Sequence, residues 1–268
     1  MDLLRDRLWL WGHDAGVQNG SRWGLGRCSR MTPLEGAAYL DISNLIMVRD
    51  LDRPSPPYDQ LALSFKPLTN VVWSIVGSGG TTDTAERAHV MDLARRFDNI
   101  SGVMLDDFFR RPTNDSPNLG VFSPEELDAV RSGLRLDDKT LDLWVVVYSH
   151  QLDLPIEPML SRCDVATLWT WSAADLVDLE ANIKRFCAIT PNKRRLLGCY
   201  LWDFGGKAPM PLNEMKRQVE LAVSSIESGM IDGIVFLASS ICDLELDTVE
   251  WTRGWNAGLG DIKAPLTD

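Results

Sequence analysis

The chain has 268 residues and 45% hydrophobic content, enough for a continuous core and too much for a disordered polypeptide. Acids exceed bases, 38 Asp and Glu against 27 Lys and Arg, a net charge of −11 that repels a nucleic-acid backbone. No apolar run approaches the ~18 residues of a membrane span, and the N-terminal MDLLRDRLWLWGHD interrupts its apolar residues with charges, unlike an export signal.

Along the chain, short apolar runs read as strands: RLWLWG, ISNLIMVR, VVWSIVG, ISGVMLDD, LDLWVVVYS, VATLWTW, LLGCYLWD and DGIVFLASS. Between them lie amphipathic segments. RPSPPY (53–58) reads as one long loop entering a helix, and TTDTAERAHVMDLARRF as a capped helix with Ala88, Met91, Leu93, Ala94 and Phe97 on its inner side. SPEELDAVRSGL opens with Ser123 as N-cap, Pro124 at the first helical position and Glu126 closing a capping box. PLNEMKRQVELAVSSIESGM aligns Met215, Val219, Ala222, Val223 and Ile226, and Gly229 ends it. Eight strands alternating with helices, without a linker rich in Ser, Gly or Pro, predict a single (β/α)8 TIM barrel over residues 1–268. The rival doubly wound sheet lacks its GxGxxG after the first strand.

The five cysteines, Cys28, Cys163, Cys187, Cys199 and Cys242, form no CxxC pair and read as reduced, mostly buried thiols of a cytoplasmic protein.

Chemistry in such a barrel gathers at the C-terminal ends of the strands. These ends carry His13 and Asp14, then Ser74 with the GSGGTT turn, then the consecutive acids Asp106 and Asp107. Later ends carry Tyr148 and His150, Trp169 and Trp171, Tyr200 with Trp202 and Asp203, and finally Ser239, Ser240 and Asp243. Strand alternation turns Met104 and Asp106 toward the axis and Val103 and Leu105 toward the helices, and a bend at the strand end can bring Asp107 to the same pocket. Two carboxylates that close divide into a protonated and an ionised form, as acid/base catalysis requires. Alternatively, Asp107 caps the loop or pairs with Arg110 or Arg111.

Ten tryptophans are an unusual endowment. Trp73 and Trp144 read as core, whereas Trp169, Trp171 and Trp202 sit where aromatic faces can stack on sugar rings. Asp203 is a candidate second carboxylate, or a substrate hydrogen-bonding group, or a loop cap. His89 lies within a helix. His13, His150, Asp106 and Asp14 could be gathered around a metal, but no HxH or HExxH supports that, and the expectation is no metal and no cofactor. The GSGGTT turn could cradle a phosphate, though no base adjoins it.

The pair Asp106–Asp107 after the fourth strand resembles the paired aspartates of the O-GlcNAcase-like hexosaminidases, on a glycoside-hydrolase-type barrel. The resemblance implies that Asp106 orients a substrate acetamido group and Asp107 serves as general acid/base. The expected function is therefore a glycosidase in which Asp106, Asp107 and Asp203 are catalytic. His13, Asp14, Tyr148, His150, Trp169, Trp171, Tyr200 and Trp202 would bind a carbohydrate. The alternatives are a metal-dependent sugar isomerase, epimerase or hydrolase, and a barrel that binds carbohydrate without catalysis.

Overall fold

The computed structural model describes residues 3–113, 118–260 and 262. Its strands are β1 (Leu8–Gly12), β2 (Asn44–Met47), β3 (Asn70–Val76), β4 (Ile100–Leu105), β5 (Asp142–Tyr148), β6 (Val165–Trp169), β7 (Arg194–Tyr200), β8 (Trp202–Asp203), β9 (Ala208–Pro209) and β10 (Gly233–Leu237). All but β8 and β9 form one closed parallel barrel in the order β1-β10-β7-β6-β5-β4-β3-β2. This is the (β/α)8 architecture, with each of the eight apolar runs supplying one barrel strand. The remaining two strands make a small antiparallel hairpin directly after β7.

Helices α1 (Pro33–Leu40), α2 (Asp59–Ser64), α3 (Thr84–Arg96), α4 (Pro124–Gly133), α5 (Glu157–Leu160), α6 (Leu179–Ile189), α7 (Leu212–Glu227) and α8 (Asp247–Ala257) occupy the crossovers. Their ends follow local chemistry. Ser123 accepts from the Glu126 amide and Glu126 reciprocates, closing the expected capping box of α4. Gly229, with φ +70°, ends α7 in the left-handed conformation. The inner stripe of α3 differs from expectation. Val90 rather than Ala88 is buried, together with Leu93, Ala94 and Phe97, because Glu86 also turns inward to meet Arg49 across 2.9 Å. That ion pair takes a place on the inner face that an apolar reading leaves out.

The barrel axis is plugged by tryptophan. Trp9 meets Trp144 with ring centroids 4.7 Å apart, and above them Trp11 meets Trp169 edge-on at 5.2 Å. Two strand glycines make the room: a Cβ on Gly102 would lie 2.8 Å from Trp144 Nε1, and one on Gly198 would lie 2.1 Å from the Trp169 ring. Trp73 faces the other way, packing on Tyr58 and Phe65 of the outer layer. Trp73 and Trp144 are thus both core, as expected, but in different layers. Cys163, Cys199 and Cys242 are buried, Cys28 is exposed, and all five cysteines are unpaired. Among the described residues no helix is long and apolar enough to cross a membrane.

Because the Trp169 indole occupies the space of a Gly198 side chain, Gly198→Ala should overpack the barrel. The expected loss is about 1–3 kcal/mol of unfolding free energy in a denaturant titration. An unchanged midpoint would mean that the indole can yield without cost.

Candidate active site

Above the Trp11–Trp169 layer a cavity of about 820 Å³ opens at the C-terminal ends of the strands. Asp106 follows β4 directly, is only 5% exposed, and points into this cavity; its amide donates to Val76 O at 2.9 Å, extending the β3–β4 ladder. The next residue would ordinarily face the helices. Instead Asp107 takes φ +45°, a left-handed conformation that turns its carboxylate back to the same cavity. Both acids of the pair therefore reach one space.

The surrounding donors treat the two unequally. Asp107 is half-buried and receives the Gly79 N–H at 2.7 Å on one oxygen and the Tyr148 hydroxyl at 2.7 Å on the other. Asp106 accepts from the Asp107 amide at 2.9 Å and from Ser78 Oγ at 3.2 Å. Burial, reinforced by the Asp107 charge, pushes the Asp106 carboxyl well above its ordinary value. Asp106 thus retains its proton into a range where an ordinary carboxyl is ionised.

The GSGGTT turn has a defined task here. Gly79, at φ +71°, a backbone that glycine adopts freely, aims its N–H at Asp107.

His13 is 4% exposed and lines the cavity wall. Its Nδ1 lies 3.1 Å from Val48 O, a pure acceptor, while Nε2 receives the Trp11 indole N–H at 3.2 Å. The proton therefore sits on Nδ1 and both nitrogens are engaged. Burial lowers the imidazole's affinity for a second proton against the pull of the Asp50 charge. His150 lies at the rim with its ring stacked on Tyr148 at 5.5 Å.

The opposite wall is aromatic. Tyr200 touches Trp169 at 5.1 Å and Trp171 at 5.8 Å, and Trp171 meets Tyr148 edge-on at 6.2 Å. Burial raises both the Tyr148 and the Tyr200 hydroxyls well above their usual range, so both remain donors.

Of the residues singled out in the sequence, the structure brings together His13, Asp106, Asp107, Tyr148, His150, Trp169, Trp171 and Tyr200 around the cavity. It places three elsewhere. Asp203, in β8, accepts from the Gly206 amide at 2.8 Å and closes the hairpin turn. Trp202 is buried, its indole N–H donating to Trp23 O at 2.9 Å. Asp14 pairs with Arg53 at 2.9 Å. The histidines and acids weighed as a metal centre do not converge: among the described residues no group of three His, Cys, Asp or Glu is arranged to hold a metal ion.

The cavity also holds residues that the strand-end reading passed over. Asp50 stands just beyond β2, 7% exposed and 3.8 Å from Arg22. The signal was present, since an acid follows an apolar run there as it does after β4. Trp23 and Phe204 complete the aromatic wall, 5.3 Å apart, but come from a one-turn 3-10 helix and from the β8–β9 hairpin turn, too short for any periodicity to mark.

This assembly defines a (β/α)8 barrel with a carboxylate pair and an aromatic wall at its C-terminal mouth. No protein-family model matches the chain, and no curated protein matches it in sequence. Among solved structures the fold is similar to active domain 2 of a chitinase from Pyrococcus furiosus, at 11% identity and TM-score 0.59, covering 95% of this chain and 94% of that one. It is also similar to the spore cortex-lytic enzyme SleL of Bacillus megaterium, at 9% identity and TM-score 0.59 over 99% of this chain and 76% of that one. A third likeness is the xylanase-α-amylase inhibitor protein XAIP-I in complex with trehalose, at 16% identity and TM-score 0.55 over 96% and 99%. At these identities the likeness establishes the fold.

The raised Asp106 carboxyl carries a stability consequence. The unfolded chain releases this proton near pH 4, whereas the folded chain holds it to higher pH. Stability is therefore fully present below the unfolded value and is lost as pH rises toward the folded one. Asp106→Asn, which cannot ionise, should melt at or above the wild-type temperature at pH 7–8, with the gap closing toward pH 4. Melting curves across pH check this, and a variant that melts lower at every pH would contradict it.

Proposed function

We propose that this protein is a glycosidase in which the Asp106–Asp107 pair supplies the acid/base chemistry, without a cofactor. The observation that carries the reading is the pair itself: consecutive acids in one cavity, the deeper one raised well above the usual carboxyl range by burial and by its neighbour's charge. A glycosidic bond needs a proton delivered to the leaving oxygen and negative charge near the anomeric carbon as it becomes cationic. Asp107, the half-exposed member, reaches the substrate and acts as general acid/base, delivering the proton that the pair shares once it passes over from Asp106. Asp106, buried behind it, sets the proton count of the pair and orients a neighbouring substrate group.

The chitinase and the cortex-lytic enzyme of similar fold support the substrate class by analogy of architecture. With Asp203 engaged in its hairpin, a double displacement through an enzyme carboxylate would draw on Asp50. A 2-acetamido sugar would need no such carboxylate, because its own carbonyl oxygen attacks. The paired-aspartate resemblance favours that substrate-assisted route.

A second reading, a barrel that binds carbohydrate without turning it over, is favoured by the likeness to an inhibitor protein in complex with trehalose. The two readings separate in one assay. Wild type and Asp107→Asn are given chromogenic aryl glycosides with and without a 2-acetamido group, in the presence of a chelator. The glycosidase reading expects chelator-resistant release by wild type. It also expects a fall of on the order of 10²-fold or more in the variant with its melting temperature kept. Sugar binding without release from any glycoside would establish the second reading instead.

A further inference from the structure

Among the described residues five large apolar side chains are exposed: Leu51, Leu63, Trp171, Val177 and Ile262. Two of them, Leu51 at 61% and Trp171 at 37%, line the mouth of the cavity, and the other three do not. Leu51 follows β2 and Trp171 follows β6, which lie four strands apart in the closed eight-strand order and so on opposite sides of the barrel. The mouth therefore has an apolar group on each of two facing rims.

Leu51 is also in a conformation that leucine avoids. Asp50 and Arg53 exchange both backbone hydrogen bonds at 2.9 Å, closing a two-residue turn in which Leu51 has φ +49° and Asp52 φ +60°. Positive φ at both central positions is the demand of a type I′ turn, for which Asn and Gly are the suited residues. A branched apolar residue there is unfavourable for the backbone and, standing in solvent, gains nothing from the core. The turn is nonetheless firmly held. Arg49 grips Asp52 at 2.7 Å, and Arg53 grips Asp14 at 2.9 Å and Ala15 O at 3.0 Å. A rigid turn thus presents an otherwise disfavoured leucine at the cavity edge.

Resting on the glycosidase reading, we propose that Leu51 determines specificity. With Trp171 opposite, it forms an apolar clamp across the mouth that holds the unit beyond the scissile bond. The substrate class is then a conjugate or oligosaccharide whose leaving unit presents an apolar face, such as an aryl group or the flat face of a second pyranose. A small hydrophilic aglycone leaves the clamp empty.

The test compares 4-nitrophenyl glycosides, whose aryl group fills the mouth, with the matching methyl glycosides, whose aglycone does not reach it. Leu51→Asn and Leu51→Gly should keep or raise the melting temperature, because either residue suits the turn. Both should raise KM for the nitrophenyl glycoside by about tenfold, with kcat and methyl-glycoside affinity preserved, and Leu51→Met should behave as wild type. An unchanged KM in both variants would overturn the clamp, as would equal weakening toward both ligands. If wild type hydrolyses nothing, the glycosidase reading fails, and the clamp is judged separately by calorimetric binding. A nitrophenyl preference lost in Leu51→Asn sustains it, and no such preference in wild type overturns it.

Discussion

Two like charges on consecutive residues are the constraint around which this molecule is arranged. Near a protein surface, two like unit charges about 4 Å apart repel by about 4 kcal/mol. The mouth of the barrel resolves this by keeping a proton on the deeper acid and directing the Gly79 amide and the Tyr148 hydroxyl at the shallower one. The left-handed backbone at Asp107 is what sets the problem, because it turns the second carboxylate from the helix side to the cavity side. Such a turn costs roughly 1–2 kcal/mol for a residue with a side chain. It is held there by two donors to the carboxylate, the Gly79 amide from the turn after β3 and the Tyr148 hydroxyl at the end of β5.

The rest of the barrel holds those donors still. The stacked tryptophans fill the axis below the cavity, so the site has a solid apolar floor instead of a water-filled shaft. Gly102 and Gly198 permit that floor, and the hairpin of β8 and β9 buttresses the rim: Trp202 anchors the Trp23 carbonyl, and a Cβ at Gly24 would strike Lys207 O at 2.5 Å. Trp202 thus acts on the aromatic wall through Trp23, and Asp203 acts on it by closing the hairpin turn.

Much of this was legible in the sequence because it is periodic. Apolar runs of strand length, capping boxes and the rule that barrel chemistry sits at strand ends located the barrel, the acid pair, His13, Tyr148 and the Trp169–Trp171 segment. What escaped is aperiodic or relational. Trp23 reaches the cavity from a one-turn 3-10 helix and Phe204 from the hairpin turn, and their meeting there depends on contacts between distant segments. GSGGTT has the composition of an anion cradle, and its amide does bind an anion, but one carried by the chain itself. Asp203 repeats the strand–acid–aromatic pattern of Asp106, yet the tight turn to Gly206 captures its carboxylate before it can reach the mouth. Glu86 was hidden for a related reason: an acid on the inner face of a helix makes sense only once Arg49 is known to lie opposite.

The charge pattern of the site suits the proposed reaction better than a site built for an anion. The Asp50 and Asp107 charges both act on the buried His13, yet burial wins and the imidazole stays neutral, its single ring proton committed to Val48 O. A cationic imidazolium in that wall would oppose positive charge growing on a sugar ring, whereas a neutral one adds no positive charge of its own to the negative field of the aspartates. The transition state of glycoside cleavage is more positive than the bound sugar, so that field favours it over the ground state. Neutral His13 is therefore as much a part of the electrostatic design as the acids. Burial sets that preference, and the Trp11 indole N–H, donating to Nε2, matches the neutral ring.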